Sequence, residues 1–461
     1  MNISSATKIH LVGAKGVGMA AVACCLSDLG KTLTGSDSPD VQITDPLLAS
    51  RNIPIHDFAA TNITPDTNLV IYSGAYKLHQ HPELLRAGEL AIPIITQAQA
   101  AAELSTDHRL IAVCGVGGKT TTTAMLIHVF ESTHHRSSWL VGVSSVCNTL
   151  PPGRIGSGDT FIAEADEYAI APPDNNNPKF SLYHPEVIIC TNLKYDHPDI
   201  YPDFAATKAA FLKFFQTLPV GGLLVYNADD PELVSLVKQL PAHITRESFG
   251  TYPVSDWFIT HQPDKSQVTL THDSRSYSFA LSTLGLHNAR NAAAAAAVAN
   301  HFRIQGTDIS TSLTSFTGTK RRLELVANQA DTLYFDDYAH HPSEIQSVLE
   351  ALHHTYPHRR LIAIFQPHTF SRTKALLADF ATAFACASEV IITPIFSSTR
   401  EQSDTSISSE ILVQEIGKHH PHVIYSKDFA NVATHLKNNR TKGDLIITLG
   451  AGDIYQLHSK L

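Results

Sequence analysis

Long apolar runs are missing from this sequence. No stretch reaches the roughly 18–20 residues of a membrane span, and Met1–His10 lacks the basic start and apolar centre of a secretory signal. The expectation is a cytoplasmic protein with no membrane span. Cysteine is scarce: the six residues Cys24, Cys25, Cys114, Cys147, Cys190 and Cys386 contain no C-x-x-C pair and sit mostly in apolar runs. They read as reduced core residues and argue against a disulfide framework. Positive charge is not in excess either. With 34 Lys and Arg against 43 Asp and Glu, the net charge of −9 argues against a nucleic-acid binder that works by bulk attraction. Any anionic ligand must then be held by local backbone N–H groups and a few placed cations. Histidine, by contrast, is plentiful at 26, with doublets at His134-His135, His340-His341, His353-His354 and His419-His420. Neighbouring side chains on a helix or strand point in different directions, so a doublet is a poor metal clamp by itself. Three of the four read as solvated surface.

What the sequence does have is Leu110–Thr123, an apolar run that ends in glycines and is followed at once by a lysine and four threonines. It reads as a strand, a phosphate-cradling loop and the first turn of a helix. Gly115, Gly117 and Gly118 let backbone N–H groups approach an anion, Lys119 adds charge, and Thr120 a metal-facing hydroxyl, with Thr121 behind it. The helix then points the positive end of its dipole at the same phosphates. The first glycine of the full Walker A pattern is replaced by Val113, leaving G-x-x-G-K-T-T.

In chain order, Lys8–Met19 is a strand entering a turn with Gly13, Gly16 and Gly18, then a helix to Gly30 and a second strand closing on Ser36-Asp37. This is the layout of a mononucleotide-binding βαβ unit, with Asp37 about twenty residues beyond the glycines. Further alternation ends this α/β unit near residue 105. Strand-like runs at 139–143, 160–165, 187–192 and 222–227 follow the phosphate loop. One of them ends in Glu164, Asp166 and Glu167, another in Asn192, Asp196 and His197. The carboxyl ends of parallel strands gather on one edge, so Glu164 and His197 are candidates for a Mg²⁺ shell around a bound nucleotide. Residues 203–215 read as an amphipathic helix with Phe204, Phe211, Phe214 and Phe215 inward, and residues 240–282 as antiparallel and peripheral. His287, Asn288 and Asn291 open a helix that continues through Ala292–Ala297, within reach of a ligand. Lys320-Arg321-Arg322 stands at a boundary. A last alternating segment places polar clusters at three strand ends, 336–342, 366–372 and 450–453, as a substrate edge would. Together these features imply an ATP-dependent enzyme of three α/β domains that joins two substrates.

The ordered set Gly115-x-x-Gly-Lys-Thr-Thr, Glu164-Ala-Asp-Glu167, Asn192-x-x-x-Asp-His197, His287-Asn-x-x-Asn291, Arg321-Arg322 and Asp336–Pro342 resembles the Mur ligase family over nearly the whole chain. The resemblance implies a three-domain architecture: a Rossmann-like domain over 1–105 for a UDP-sugar, a P-loop ATPase-like domain over 106–318, and a Rossmann-like domain over 319–461 for an amino acid. Residues 13–19, 35–37, 366–368 and 450–454 are most similar to the branch that joins L-alanine to the lactyl carboxylate of UDP-N-acetylmuramate through an acyl phosphate. By that resemblance Lys119, Glu164, His197 and Asp337 serve catalysis. ATP falls to Gly115, Gly117, Gly118, Lys119, Thr120, Thr121, Asn288, Asn291, Arg322 and Asp337. Thr120, Glu164 and His197 would ligate Mg²⁺, Gly16, Gly18, Ser36 and Asp37 would meet the uridine diphosphate, and His341 and His368 the amino acid. A monomer or homodimer is implied. Three departures stand out. Val116 and Gly117 replace a Thr and a His usual in that branch. Lys208 fits the family's carbamylated lysine poorly. Residues 172–180 resemble an insertion in the sister enzymes that attach a murein tripeptide, which keeps that activity as an alternative. A non-catalytic nucleotide-binding regulator is the alternative from another class.

Overall fold

The computed structural model describes residues 3–263, 266–397, 401 and 403–461. Met1 and Asn2 of the segment read for a signal, and Asp264 and Lys265 of the stretch read as antiparallel, lie outside the described residues.

Among the described residues three large sheets follow one another along the chain, with a separate two-stranded hairpin. In the first, five parallel strands run in the order Ile55–His56, Thr32–Ser36, Lys8–Val12, Leu69–Tyr72 and Ile94–Thr96. Leu69–Tyr72 is buried along its whole length, as a parallel strand covered on both faces requires. His10 and Ser36, buried on adjacent strands, converge on Glu83, which is wholly enclosed. Its carboxylate accepts from Ser36 Oγ at 2.5 Å, Asn62 Nδ2 at 2.6 Å and Ala59 N at 3.2 Å, with His10 Nε2 3.6 Å away. Burial works to raise the Glu83 pKa, but the hydrogen bonds from His10, Ser36 and Asn62 outweigh it and hold the group below the ordinary carboxylate range. A depressed carboxylate contributes stability that is present above its unfolded pKa and is lost as pH falls through the folded value. Glu83→Ala is therefore expected to cost about 3 kcal/mol at pH 7 and to blunt acid sensitivity below pH ~4.5, read by denaturant titration at pH 7 and pH 4. An unchanged acid limb would contradict this.

The second sheet has ten strands. Arg109–Cys114 lies between Val187–Cys190 and Thr160–Glu164, parallel to both, with Cys114 beside Cys190 and Val113 beside Glu164. The register brings the loop after Cys114, the Glu164 carboxylate and the 191–197 segment to one edge. The strand expected over 139–143 is only Ser138–Leu140, because Gly142 N turns aside to donate to Glu164 Oε2 at 2.9 Å. The stretch read as wholly antiparallel is mixed. Thr245–Gly250 and Trp257–Gln262 continue the parallel sheet, and only Gln267–His272 and Arg275–Ala280 fold back as antiparallel strands at its rim. The six alanines lie wholly buried in helix Leu286–His301, which packs on helix Lys119–Ser132; small side chains permit that close approach.

In the third sheet Glu324–Gln329 pairs antiparallel with Thr332–Asp337, and parallel strands Leu445–Leu449, Leu361–Phe365, Glu389–Ile392 and Val423–Tyr425 follow in that spatial order. The first two domains pack tightly: a Cβ on Gly153 would stand 2.0 Å from Ala21 O on the front helix Val17–Asp28. The insertion forms a hairpin, Ala169–Ala171 with Asn175–Pro178, which sets Ile170 and Ala171 among front-domain Val12, Val70, Tyr72 and Leu84. All six cysteines are free thiols.

Candidate functional site

The phosphate loop is shaped by one side chain from the neighbouring strand end. Asn192 Oδ1 accepts from Val116 N and Gly117 N, each at 3.0 Å, and its Nδ2 donates to Gly117 O at 2.7 Å. Thr191 Oγ1 donates to the same carbonyl at 2.6 Å. Gly118, at φ +84°, hands the chain into helix Lys119–Ser132, and a Cβ there would lie 2.7 Å from Asn291 Oδ1. Asn291, read from the sequence as a ligand contact, thus packs directly against the loop. Asn288 and Asn291 bond each other at 3.1 Å and Asn288 donates to Leu284 O at 2.8 Å, so both are braced beneath it.

Behind the loop two polar groups stand side by side. In the first, Thr120 Oγ1 donates to Glu164 Oε1 at 2.8 Å and receives Arg322 Nη2 from the rear domain at 2.9 Å. In the second, Lys119 Nζ meets Glu167 Oε2 at 2.7 Å and Oε1 at 3.0 Å while also donating to Gly115 O at 2.7 Å. Burial alone would lower the Lys119 pKa, but Glu167, Asp166 and Glu164 hold it above the ordinary lysine value, so the ammonium stays charged. Burial pushes Glu167 up to about 7, against the pull of Lys119. Asp166 works against its own burial through Lys179, 2.8 Å away, and Lys119, and lies far below the carboxylate range.

Next to Glu167 lie Asp196 and His197. Among the described residues these three form a group whose ligand atoms all fall within 4.8 Å of one another. His197 takes a left-handed backbone, φ +56°, and tilts against Tyr168 with ring centroids 4.7 Å apart. Burial lowers its pKa, and Arg372 adds to that against the opposing Asp196, favouring the neutral imidazole that a metal requires. Asp196 is gripped by Arg372 of the rear domain, Nε to Oδ1 at 2.8 Å and Nη2 to Oδ2 at 3.2 Å, with both side chains buried. The oxygen-rich donor set of Thr120 with Glu164, and the mixed set around His197, suit hard divalent cations.

These groups line a cleft of about 480 Å³ to which all three domains contribute. Of the residues expected at a site, it brings together Gly16 and Gly18 from the front, Gly118, Lys119, Thr120, Glu164 and His197 from the centre, and Arg322 and His368 from the rear. Others are placed differently. Ser36 is turned into the Glu83 network, and Asp37 accepts from Lys15 N at 2.7 Å and Ser38 N at 2.8 Å, fastening the glycine turn. Asp337 accepts from Leu323 N at 2.6 Å and Ala339 N at 2.7 Å; burial raises it to about 6 despite Arg322. His341 caps helix Pro342–Thr355 and reaches Tyr195 O with Nε2 at 3.2 Å, and the member of the doublet on the cleft is His340. Thr121 is buried within its helix, and Gly115 and Gly117 face Thr191, Asn192 and Glu344. The arginine doublet is divided: Arg321 locks onto Asp336 and the carbonyls of Gly450 and Gly452, leaving Arg322 for the loop. Lys208 pairs with Glu232 at 3.1 Å and is not among the cleft residues. Sequence reasoning missed Arg372, His340 and the use of Glu167 as the partner of Lys119. The Glu167 signal was present as one carboxylate among three, but nothing local separates it from Glu164.

Fold and cleft together define a three-domain α/β protein in which a glycine-rich strand-to-helix loop opens into a cleft lined by all three domains. Family models agree in order along the chain: "Mur ligase family, catalytic domain" over 8–109, "Mur ligase middle domain" over 113–299 and "Mur ligase, glutamate ligase domain" over 321–452. A UDP-N-acetylmuramate–L-alanine ligase of Desulfitobacterium hafniense is 37% identical, with 98% of this chain and 99% of that protein covered. One of Acetivibrio thermocellus is 35% identical over 97% and 94%. The chain belongs to the Mur ligase family. Among solved structures, a UDP-N-acetylmuramate–alanine ligase from Thermotoga maritima shares the fold at TM-score 0.78 and 22% identity, over 98% of this chain and 97% of that one. A murein peptide ligase from Psychrobacter arcticus does so at 0.73 and 24%, over 99% and 98%.

Proposed function

We propose that the protein joins L-alanine to the lactyl carboxylate of UDP-N-acetylmuramate at the expense of ATP. The observation that carries this reading is the single cleft in which the phosphate-loop group, the front glycine turn and the rear Arg322, His340, His368 and Arg372 meet. In this account the front domain, 1–105, presents the sugar nucleotide, 106–318 holds ATP, and 319–461 brings the amine. The lactyl carboxylate oxygen attacks the γ-phosphorus, the bond to ADP breaks, and the amine nitrogen then attacks the acyl carbon as phosphate leaves. Lys119 steadies the phosphoryl oxygens as charge shifts across them, a contact typically contributing about 3–4 kcal/mol. Arg322, reaching Thr120 from the rear domain, places its charge on the phosphate side only when the domains are together. Asn288 and Asn291 brace the loop from below, and Asp337 fixes the segment that carries Arg322. Thr120 with Glu164, and His197 with its neighbours, would each hold a Mg²⁺, which when bound supplies charge neutralisation between two approaching anions. Gly16 and Gly18 leave backbone room for the diphosphate. His368, stacked on Phe396 at 12°, and His340 form a wall for the amino acid, with His341 behind as the helix cap.

Phosphate release tests the proposal: purified protein with ATP, Mg²⁺ and UDP-N-acetylmuramate should be stimulated by L-alanine. Stimulation by L-Ala-γ-D-Glu-diaminopimelate in its place would favour the tripeptide activity, and silence with both would refute a ligase. The hairpin that raised the tripeptide reading packs on the front domain, so it lends no support to a larger amine pocket at the rear. The assembled Lys119, Thr120, Glu164 and His197 favour catalysis over a purely regulatory role. No helix among the described residues is long and apolar enough to cross a membrane.

A further inference from the structure

Lys119 and the His197 group share one carboxylate. Glu167 Oε1 lies 3.0 Å from Lys119 Nζ and 3.7 Å from His197 Nε2, while Oε2 is 2.7 Å from the same ammonium. Glu167 is almost fully enclosed, with a side chain 2% exposed. It lies between these two partners, touching the ammonium and facing the imidazole. Asp196, the third member of the group, is already engaged by the rear-domain Arg372. Lys119 is at the same time folded back over its own loop onto Gly115 O, with the Gly117 and Val116 amides occupied by Asn192. The phosphate receptor is thus satisfied internally.

We propose that Glu167 is an exchange carboxylate: it restrains Lys119 in the metal-free protein, and on uptake of a divalent cation beside His197 it turns to that cation and frees Lys119 for phosphate. This deepens the ligase reading above and rests on it for the role of Lys119. Glu167 acts through Lys119 and is a positioning residue. Coupling of this kind is reciprocal between ligands: a phosphate that draws Lys119 away from Glu167 must strengthen cation binding by the factor by which the cation strengthens phosphate binding.

The test uses Mn²⁺ alone, without nucleotide, on the full chain, with binding followed by electron paramagnetic resonance and by calorimetry. Because no ATP is present, failure of the ligase assay and failure of this proposal are separate results. Glu167→Gln should weaken Mn²⁺ binding at least tenfold. Lys119→Ala should tighten it at least threefold, since the carboxylate is then unengaged. In the Glu167→Gln background the Lys119→Ala change should alter Mn²⁺ affinity by less than twofold, because the partner through which it acts is gone. Lys119→Ala alone keeps the proposal exposed even if Glu167→Gln does not fold. Unchanged Mn²⁺ binding in Glu167→Gln, no tightening in Lys119→Ala, or full tightening by Lys119→Ala without Glu167 would each overturn it.

Discussion

Lys119→Ala is expected to lower kcat/KM for phosphate release by about 10²–10³-fold, the equivalent of the roughly 3–4 kcal/mol that one placed charge supplies to a transition state. The fold should survive the change. Lys119 and Glu167 both line the cleft, so truncating the lysine opens the Glu167 carboxylate to the water that fills it and leaves no unsolvated charge in the core. Circular dichroism and a melting temperature within a few degrees of the parent's would separate lost chemistry from lost structure. Near-normal turnover in Lys119→Ala would refute the role assigned to the phosphate loop.

The second large effect is expected at Asp196. Its pairing with Arg372 joins the central domain to the rear one, 176 residues apart in sequence, with 4% and 5% of the side chains exposed. Removing one partner of a buried pair leaves the other charge unsatisfied and costs about 3–5 kcal/mol. Asp196→Ala should therefore lower the melting temperature and also weaken catalysis, because Arg372 loses its anchor at the junction of the domains. Arg372→Met with Asp196→Leu should recover stability, since an apolar pair of similar volume avoids the desolvation cost. It should not recover activity. Equal recovery of both would mean that the pair serves packing alone.

Much of the architecture was legible because it rests on local signals. The alternation of apolar runs with helices, the glycine turns and the strand-end polar clusters all follow from chain-local periodicity. The alanine tract declares a closely packed helix for the same reason. Strand ends on a parallel sheet share an edge, so the approach of Glu164 and His197 to the loop could be expected from order alone. What stayed hidden depends on pairs far apart in sequence. Nothing near Arg372 shows that it will meet Asp196, and nothing near Asn192 shows that its carboxamide will clamp Val116 and Gly117. The histidine doublet illustrates the limit well. His340 and His341 differ by one backbone step, and the capping of helix Pro342–Thr355 takes His341 while leaving His340 toward the cleft. Ser36 was legible as a strand-end hydroxyl beside the glycine turn, but its burial against Glu83 requires a partner 47 residues away.

Gly117 gains a physical meaning from the structure. A Cβ at Gly117 would lie 3.3 Å from Glu344 Oε1 of the rear domain, tighter than ordinary contact. Glycine here leaves room for the Glu344 carboxylate against the loop. Gly117→His should consequently displace the Glu344 carboxylate from the loop and change KM for ATP several-fold, measurable in the same phosphate-release assay. An unchanged KM would show that the loop tolerates a side chain at this position.

Activation of the lactyl carboxylate by phosphoryl transfer leaves an isotopic trace. UDP-N-acetylmuramate carrying ¹⁸O in both carboxylate oxygens, turned over with ATP and L-alanine, should release phosphate containing one ¹⁸O atom, since the bridging oxygen of the acyl phosphate leaves with phosphorus. Unlabelled phosphate formed in step with product would contradict it.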